Sequence, residues 1–415
     1  MIKAFGTGST ITLGSTPVSA DYNKTWAAPR GDSYNTSYVS LTGPDKNLSA
    51  FWKHSFEVGI TAMATHTGGS IFLGVADGRV LSLEISSGDI LWTTTIDETP
   101  FLSGTINDGQ LFLPTREGSV YCFNSSNGRK RCQYNVDKSI QSPLTVSKSE
   151  IVFGTTDGSV VVLDSEDGHT RWSKSLSVSI STTPVVVKDT IFVRNNKGTI
   201  VAFDRVGGTV RWKNRNNTGL PPGSFKGPVV RDNQVYLGAT KNEQSGDHIL
   251  TALDTTTGEP VWQKNIQGTV LQLASAPNRL FSVHGNGVYA VDPDNGQTLW
   301  EAKQDERVRL ASVRDTLYVV DSETISALSL ADGELRHRVT IGNDKTLSGG
   351  PVPIPGGVLV SDTEGTLWAI SDDGGIGALE IGTGLSLFAL GAYLVYYISK
   401  STQFDSTNAG ESGNN

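Results

Sequence analysis

The chain has 415 residues, of which 46 are glycine, 37% are hydrophobic and only 18% are charged, and this composition argues against a helical bundle and against disorder over most of its length. Several small domains or one large all-β body remain. The net charge of −8 argues against a nucleic-acid-binding protein, and two cysteines are too few for a four-cysteine zinc site.

The N-terminal segment, residues 1–25, carries a weak apolar stretch from Ala4 to Leu13 and a small-residue cleavage pattern at Val18-Ser19-Ala20. Glycine, serine and threonine are too frequent in it for a typical signal peptide. A cleaved export signal, a misassigned start and a disordered tail are therefore all open interpretations. Residues 26–48 follow as a lead-in segment.

Residues 49–375 contain eight internal repeats. The strings GRVLSLEISSGDILW, GSVVVLDSEDGHTRW and GTIVAFDRVGGTVRW end at Trp92, Trp172 and Trp212, on a 40-residue register that also includes Trp52. Each repeat is typical of four short strands between Asp-Gly, Asn-Gly and Lys-Gly turns. Such a unit is a β-propeller blade, so the sequence predicts one eight-bladed propeller of four-stranded antiparallel blades.

The ring is expected to close through an N-terminal strand near Ser49–Phe56, which would complete the last blade and remove exposed strand edges. The recurring tryptophans predict packing between blades rather than a catalytic role. They are Trp52, Trp92, Trp172, Trp212, Trp262 and Trp300.

The second repeat departs from the pattern because Cys132 occupies its tryptophan slot and Cys122 occupies a slot that holds Ala202 two repeats later. A turn centred near Asn127 would place the two cysteines opposite each other on neighbouring strands. A disulfide and a pair of packed thiols are equally compatible with this placement, and a disulfide would support an oxidising compartment. The basic run Arg129–Arg131 at the same hairpin is expected to be a solvated charge run.

The fifth repeat is longer than the others, because insertions occur at NRNNTGLPPGSF and at KNEQSGDH. Connections alternate between the two faces of an up-and-down blade, so both insertions are predicted on one face, together with the loops between second and third strands. We expect a partner to bind this face, with tolerated loop drift as the alternative. Its candidate residues are Asp77, Arg116, Glu117, Asp157, Lys197, Lys241, Asn242, Glu243, Asp247, His248 and Glu364.

The histidines are scattered without metal-ligand spacing and are expected at surface or turn positions. They are His54, His66, His169, His248, His284 and His337.

The C-terminal region divides into residues 376–400 and a polar tail, 401–415, which is expected to be disordered. Residues 381–399 carry no charge, and nineteen residues rise about 28 Å as a helix, close to the thickness of a bilayer core. A C-terminal transmembrane helix is therefore predicted, with two extra strands as the alternative.

The strings AFDRVGGTVRW and ALDTTTGEPVW resemble the PQQ-like (pyrroloquinoline-quinone-type) propeller repeat family, and WAAPRGDSYNTSY resembles the lead-in of its exported members. This resemblance implies either a PQQ- and calcium-dependent alcohol or sugar dehydrogenase or a non-catalytic, BamB-like scaffold. The chain has no adjacent cysteine pair, no C-x-x-C-H motif and no acidic cluster that maps onto a calcium site.

We therefore expect no catalytic residue, no bound metal and no cofactor. The expected function is a monomeric, extracytoplasmic or cell-surface propeller that binds a protein partner and no nucleic acid. A ligand- or glycan-sensing propeller is a further alternative.

Overall fold

The chain forms a ring of eight antiparallel sheets, as seen in a computed structural model. The structure describes residues 25–44, 47–215, 227–242, 247–304, 308–341 and 345–372. These residues build thirty-two strands in eight four-stranded sheets, so the predicted all-β, eight-bladed propeller is confirmed. The interpretations of residues 1–24, 376–400 and 401–415 fall outside the described residues, as do parts of both insertions, 216–226 and 243–246.

The first four blades follow one another along the chain, after a first strand β1 (Leu48–Ser55). Blade 1 is β2 (Ile60–Thr67), β3 (Ser70–Val75), β4 (Arg79–Glu84) and β5 (Ile90–Thr95). Blade 2 is β6 (Thr105–Asn107), β7 (Gln110–Pro114), β8 (Ser119–Asn124) and β9 (Lys130–Asn135). Blade 3 is β10 (Thr145–Ser147), β11 (Glu150–Gly154), β12 (Ser159–Asp164) and β13 (Thr170–Ser175). Blade 4 is β14 (Val185–Val187), β15 (Thr190–Arg194), β16 (Ile200–Asp204) and β17 (Val210–Asn214).

The remaining blades complete the ring. Blade 5 is β18 (Val229–Arg231), β19 (Gln234–Asn242), β20 (Asp247–Asp254) and β21 (Pro260–Ile266). Blade 6 is β22 (Gln272–Ala276), β23 (Arg279–His284), β24 (Gly287–Val291) and β25 (Thr298–Lys303). Blade 7 is β26 (Arg309–Ser312), β27 (Thr316–Val320), β28 (Thr324–Ser329) and β29 (Leu335–Thr340). Blade 8 is β30 (Leu347–Ile354), β31 (Gly357–Asp362), β32 (Thr366–Asp372) and, as its outermost strand, β1.

The ring closes through the N-terminal strand, as predicted. Strand β1 pairs antiparallel with β32, from Leu48 opposite Asp372 to Ser55 opposite Thr366. The first strand of each blade contacts the first strands of both neighbouring blades around the whole circle. The first strands therefore line the central axis, and the fourth strands form the outer rim.

The burial of each strand follows from its place in the blade. In blade 3, every residue of β11 is buried, whereas β13 is mostly exposed and buries Trp172. Inner strands are covered by neighbouring blades on both faces, so they carry near-continuous apolar runs, and the rim strand needs apolar residues on one side only.

Two faces of the ring are distinguished by their connections. We call the face with the connections between second and third strands, and between successive blades, the loop face. We call the opposite face, with the hairpins between first and second strands and the turns between third and fourth strands, the turn face. On the turn face, Asp164, Asp204 and Asp254 each accept backbone N–H bonds two or three residues on, at 2.8 to 3.2 Å. Hydrogen bonds from Arg171 and Arg211, followed by these backbone bonds, lower the pKa of Asp164 and Asp204. The backbone bonds themselves lower the pKa of Asp254.

Candidate functional site

The repeat tryptophans lie at the seams between blades and make the same contact at each described seam they occupy. Trp172 in blade 3 donates its indole N–H to the Arg205 carbonyl of blade 4 at 2.9 Å, and its ring lies against Gly208. A Cβ built on Gly208 would approach that ring to 2.6 Å, so a side chain there would displace it. Trp52, Trp92, Trp212, Trp262 and Trp300 donate in the same way to the next blade.

The seam between blades 2 and 3 is built differently. Cys122 and Cys132 are directly opposite each other on β8 and β9, with Cα atoms 4.9 Å apart, and their sulfur atoms are joined as a disulfide. Tyr134, two residues beyond the tryptophan slot, makes the contact to blade 3 instead. Its hydroxyl donates to the Ser165 carbonyl at 3.1 Å, and its ring lies against Gly168. Tyr134 therefore makes the contact that a tryptophan makes at the neighbouring seams.

A groove of about 620 Å³ opens on the turn face at this seam. Its wall includes Tyr134 and Cys132, which are half-buried. It also includes the consecutive basic residues Arg129, Lys130 and Arg131, which are exposed. None of these three basic side chains is in an ion pair with a described residue. Its remaining lining is Gln110, Asn124, Asn127, Ser165 and Glu166.

Sequence reasoning missed this groove, since it treated the basic run only as a solvated hairpin tip. The available signal was the absence of tryptophan at position 132 combined with an aromatic residue at 134. Burial, followed by the nearby acidic side chains of blade 3, raises the pKa of Tyr134, so this residue is a neutral hydrogen-bond donor at physiological pH.

The residues predicted on the interaction face do lie on one face, the loop face. The turns that carry Asp77, Arg116, Glu117, Asp157, Lys197 and Glu364 all connect second and third strands. Each such loop is bound to the connection that enters its own blade; in blade 3, for example, Thr156 N–H donates to the Ser139 carbonyl at 3.1 Å. Lys241, Asn242, Asp247 and His248 are on β19 and β20 at the same face, and Glu243 is outside the described residues.

Several charges on the loop face are paired with each other. Asp157 bonds Lys138 at 2.8 Å, and hydrogen bonds from Lys138 and Thr155 hold the pKa of Asp157 well below its usual range. The guanidinium of Arg116 lies 3.9 Å from the centre of the Phe101 ring. The other pairs are Asp77 with Arg79 and Glu364 with Lys345. These contacts leave the loop face less charged toward a partner than its composition indicates.

The lead-in segment lies across the turn-face end of the ring's central axis. Backbone hydrogen bonds join it to the first strands of six blades in ring order, each at 2.7 to 3.1 Å. These bonds link Trp26 with His66 in blade 1, Ala27 with Ile106 in blade 2, Ser33 with Val186 in blade 4, Tyr34 with Val230 in blade 5, Thr36 with Ser275 in blade 6, and Ser37 with Ser312 in blade 7. The axis is thus occupied by the chain's own backbone at its turn-face end.

Each residue of the lead-in motif Trp26, Arg30, Gly31 and Asp32 makes a contact that holds this segment in place. The Trp26 ring is buried against Gly31, where a Cβ would approach it to 3.2 Å. Asp32 accepts from the backbone N–H groups of Tyr34 and Thr36, both at 3.0 Å, and so fixes the turn that follows. Arg30 donates to the carbonyls of Gly227, at 3.2 Å, and Leu273.

Two histidines correct the expectation of surface positions. His66 is 2% exposed and His284 is 6% exposed. His66 Nε2 is 2.6 Å from the Pro353 carbonyl of blade 8, and burial lowers its pKa to about 4. At neutral pH His66 is therefore an uncharged donor that joins blade 1 to blade 8. Across the residues that the structure describes, no group of three or more His, Cys, Asp or Glu side chains is placed to hold a metal ion.

Sequence comparison places these features in a family. The profile described as outer membrane protein assembly factor BamB matches residues 45–137, 116–274 and 284–378, which is well over half of the chain. The chain belongs to this BamB family. No curated protein sequence matches it.

Solved structures show the same fold at low identity to this BamB-family propeller. BamB from Moraxella catarrhalis superimposes with a TM-score of 0.62 at 17% identity, covering 78% of this chain and 97% of that one. Quinohemoprotein alcohol dehydrogenase from Comamonas testosteroni gives a TM-score of 0.67 at 12% identity, with coverages of 87% and 82%. A europium-containing methanol dehydrogenase gives 0.63 at 11% identity, with coverages of 84% and 98%. The shared ring therefore supports a propeller scaffold and leaves the activity to be argued from the sites.

No helix long and apolar enough to cross a bilayer occurs in the described part of the chain. The predicted span 381–399 falls outside that part.

Proposed function

We propose that this BamB-family propeller is a non-enzymatic scaffold that binds a partner protein through the groove between blades 2 and 3. The observation that carries the proposal is the groove itself, because its volume of about 620 Å³ and its three cationic side chains, none ion-paired with a described residue, occur where the repeat pattern fails. Lys130 does bond Gln133 Oε1, at 3.4 Å, and its ammonium lies 5.6 Å from the centre of the Tyr121 ring. Pockets of roughly 300–1,000 Å³ are typical of ligand sites.

The charge of the groove points to the class of partner segment. The whole chain carries a net charge of −8, so an acidic partner is repelled by the protein at large. Electrostatic screening limits that repulsion to about 8 Å at physiological salt. A segment rich in Asp or Glu is then attracted to the part of the groove wall formed by Arg129, Lys130 and Arg131, which favours one register of docking.

Two placements support a scaffold over the dehydrogenase alternative. The disulfide joins the third and fourth strands of blade 2 and therefore lies toward the outer rim, away from the axis where a quinone-covering pair would be needed. The lead-in occupies the turn-face end of the axis, which also weakens the alternative of a ligand held in the central funnel. Purified protein incubated with PQQ and calcium, then assayed for dye-linked alcohol or glucose oxidation, separates scaffold from enzyme.

The groove is tested with a defined acidic probe. The anisotropy of fluorescein-labelled deca-glutamate should rise when it binds the full chain at low salt. Most of that rise should be lost at about 0.5 M salt, because salt screens the attraction between exposed charges. The variant Arg129→Glu/Lys130→Glu/Arg131→Glu should not bind. A control reversal of two charges on the loop face, Arg116→Glu/Lys197→Glu, should bind like the unmodified protein.

The same variants decide which face docks the native partner. Tagged proteins are used to capture partners from the native membrane, and captured proteins are identified by mass spectrometry. Loss of a partner in the groove variant alone supports the groove. Loss in the loop-face variant alone would return the interaction to the face predicted from the sequence, and retention in both would refute both surfaces.

We also propose an extracytoplasmic location, supported by the disulfide, since disulfides persist in oxidising compartments. Sequencing of the mature N-terminus tests export. Carbonate extraction of membranes tests the proposed anchor at 381–399, because an integral anchor keeps the protein in the membrane pellet.

A further inference from the structure

A buried arginine without a counter-charge lies in the wall between blades 4 and 5. Arg194 ends β15 and is 2% exposed, and its Nε and Nη2 atoms have no hydrogen-bond partner among the described residues. Burial alone lowers its pKa to about 10, so the guanidinium is still charged at neutral pH. An unpaired buried charge is strongly unfavourable.

The repeat pattern makes Arg194 an exception. It pairs with Ile200 in the register in which Gly154 pairs with Val160 in blade 3 and Gly238 pairs with Leu250 in blade 5. In the other seven blades this position holds glycine, proline, valine or serine. The arginine is therefore not required by the blade fold.

Arg194 faces a small cavity that reaches from blade 4 to blade 6. Gly227, Gly238, Val270 and Leu273 form part of its wall, and its volume of about 10 Å³ leaves room for a single small species. No carboxylate of the described residues makes an ion pair with Arg194, so the described part of the wall leaves the guanidinium charge unneutralised.

A second guanidinium, that of Arg30, binds backbone carbonyls of residues that line the same cavity. Arg30 of the lead-in donates to the carbonyls of Gly227 and Leu273, both of which belong to residues that line it. These bonds engage carbonyl oxygens that would otherwise repel an anion. Arg30 has Asp32 as a nearby counter-charge, whereas Arg194 has none among the described residues, which therefore leave one positive charge in excess here.

We propose that this cavity binds one small monovalent anion of halide size, held by Arg194 Nε and Nη2. The single excess charge sets the valence, and the small volume excludes sulfate, phosphate and organic acids. Because Arg30 bonds the carbonyls of two residues in the wall, Gly227 and Leu273, the bound anion also stabilises the attachment of the lead-in to blades 5 and 6. This site is separate from the partner groove and does not depend on it.

The test uses the full chain and measures its melting midpoint against bromide or chloride concentration, with gluconate keeping ionic strength constant. We expect a saturable rise, because a ligand that binds only the folded state stabilises it by mass action. In Arg194→Met the apparent halide affinity should fall by more than about tenfold, since charged hydrogen bonds are lost. Arg79→Met, which removes a partly exposed arginine paired with Asp77, should keep the unmodified response.

Direct detection keeps the proposal testable should Arg194→Met not fold. Crystals of the unmodified protein soaked in bromide should show an anomalous peak within hydrogen-bonding distance of Arg194 Nε. A water molecule in place of that peak, or an identical halide response in the unmodified protein and Arg194→Met, would overturn the proposal.

Discussion

The contact between a rim tryptophan and the next blade's glycine can be isolated by one matched pair of substitutions in blade 2. Gly128 and Gly109 both have φ of +70°, so alanine costs about the same backbone energy at each position, roughly 1 to 2 kcal/mol. They differ in their surroundings. A Cβ on Gly128 would lie 2.5 Å from the Trp92 ring, whereas a Cβ on Gly109 would have nothing nearer than 4.0 Å.

Displacement of the Trp92 ring adds two costs to Gly128→Ala. The indole N–H loses its bond to the Ser125 carbonyl, 2.9 Å long, which is worth about 1 kcal/mol. Moving a ring packed at a seam adds about 1 to 3 kcal/mol of overpacking. We therefore expect Gly128→Ala to lower the free energy of unfolding by about 3 to 6 kcal/mol, and Gly109→Ala by about 1 to 2 kcal/mol.

Urea denaturation, followed by both far-ultraviolet circular dichroism and tryptophan fluorescence, measures the two variants. Agreement of the two probes establishes that one transition is being compared. We also expect the wavelength of the native tryptophan emission to change in Gly128→Ala, because the surroundings of Trp92 change. Equal loss of stability in the two variants would show that backbone conformation alone explains the glycine requirement.

Three further predictions concern single groups. Tyr134→Phe should lower the free energy of unfolding by about 1 kcal/mol in urea titrations, through loss of one hydrogen bond, and Tyr134→Ala by about 3 to 5 kcal/mol. His66 has a folded pKa of about 4 against 6.5 for an ordinary histidine, so the unfolded chain binds more protons between these values. Stability should be unaffected by this group above pH 7 and fall by about 3 kcal/mol as pH drops from about 6.5 to 4, and His66→Gln should lack that part of the slope in urea titrations at each pH. Reduction of the Cys122–Cys132 disulfide should lower stability by about 2 to 3 kcal/mol, whereas Cys122→Ala/Cys132→Ala should not respond to reductant.

Local sequence patterns were sufficient to predict the fold. Strand patterns and turn glycines recur on a 40-residue register, so the strands and turns of each blade can be predicted from its own repeat. The closing strand could be identified because Trp52 lies on that register without strands of its own repeat before it. Its indole then donates to Ile85 of blade 1, at 3.0 Å, so the strand that completes blade 8 also docks it onto blade 1.

The candidate sites were harder to predict because their contacts are not local. Arg30 bonds Leu273 across 243 residues, and Asn35 bonds the Thr183 carbonyl across 148 residues. No periodic pattern links such positions. Pairing on the loop face was also invisible, since the partners of Asp157 and Glu364 come from the connections between blades and share no motif with them.

The two proposed sites follow one physical rule. A ring that repeats the same docking contact at its seams presents similar surfaces at each of them, so selectivity for a ligand must come from positions where the repeat changes. Cys132 breaks the tryptophan register and leaves a basic groove at the rim, and Arg194 stands where the other blades have uncharged residues and leaves a buried positive charge between blades 4 and 5. Neither change is needed to close the ring, and each has a cost in packing or in buried charge. We therefore explain both changes by a bound partner or anion that offsets the cost. The groove experiment and the halide experiment test this explanation.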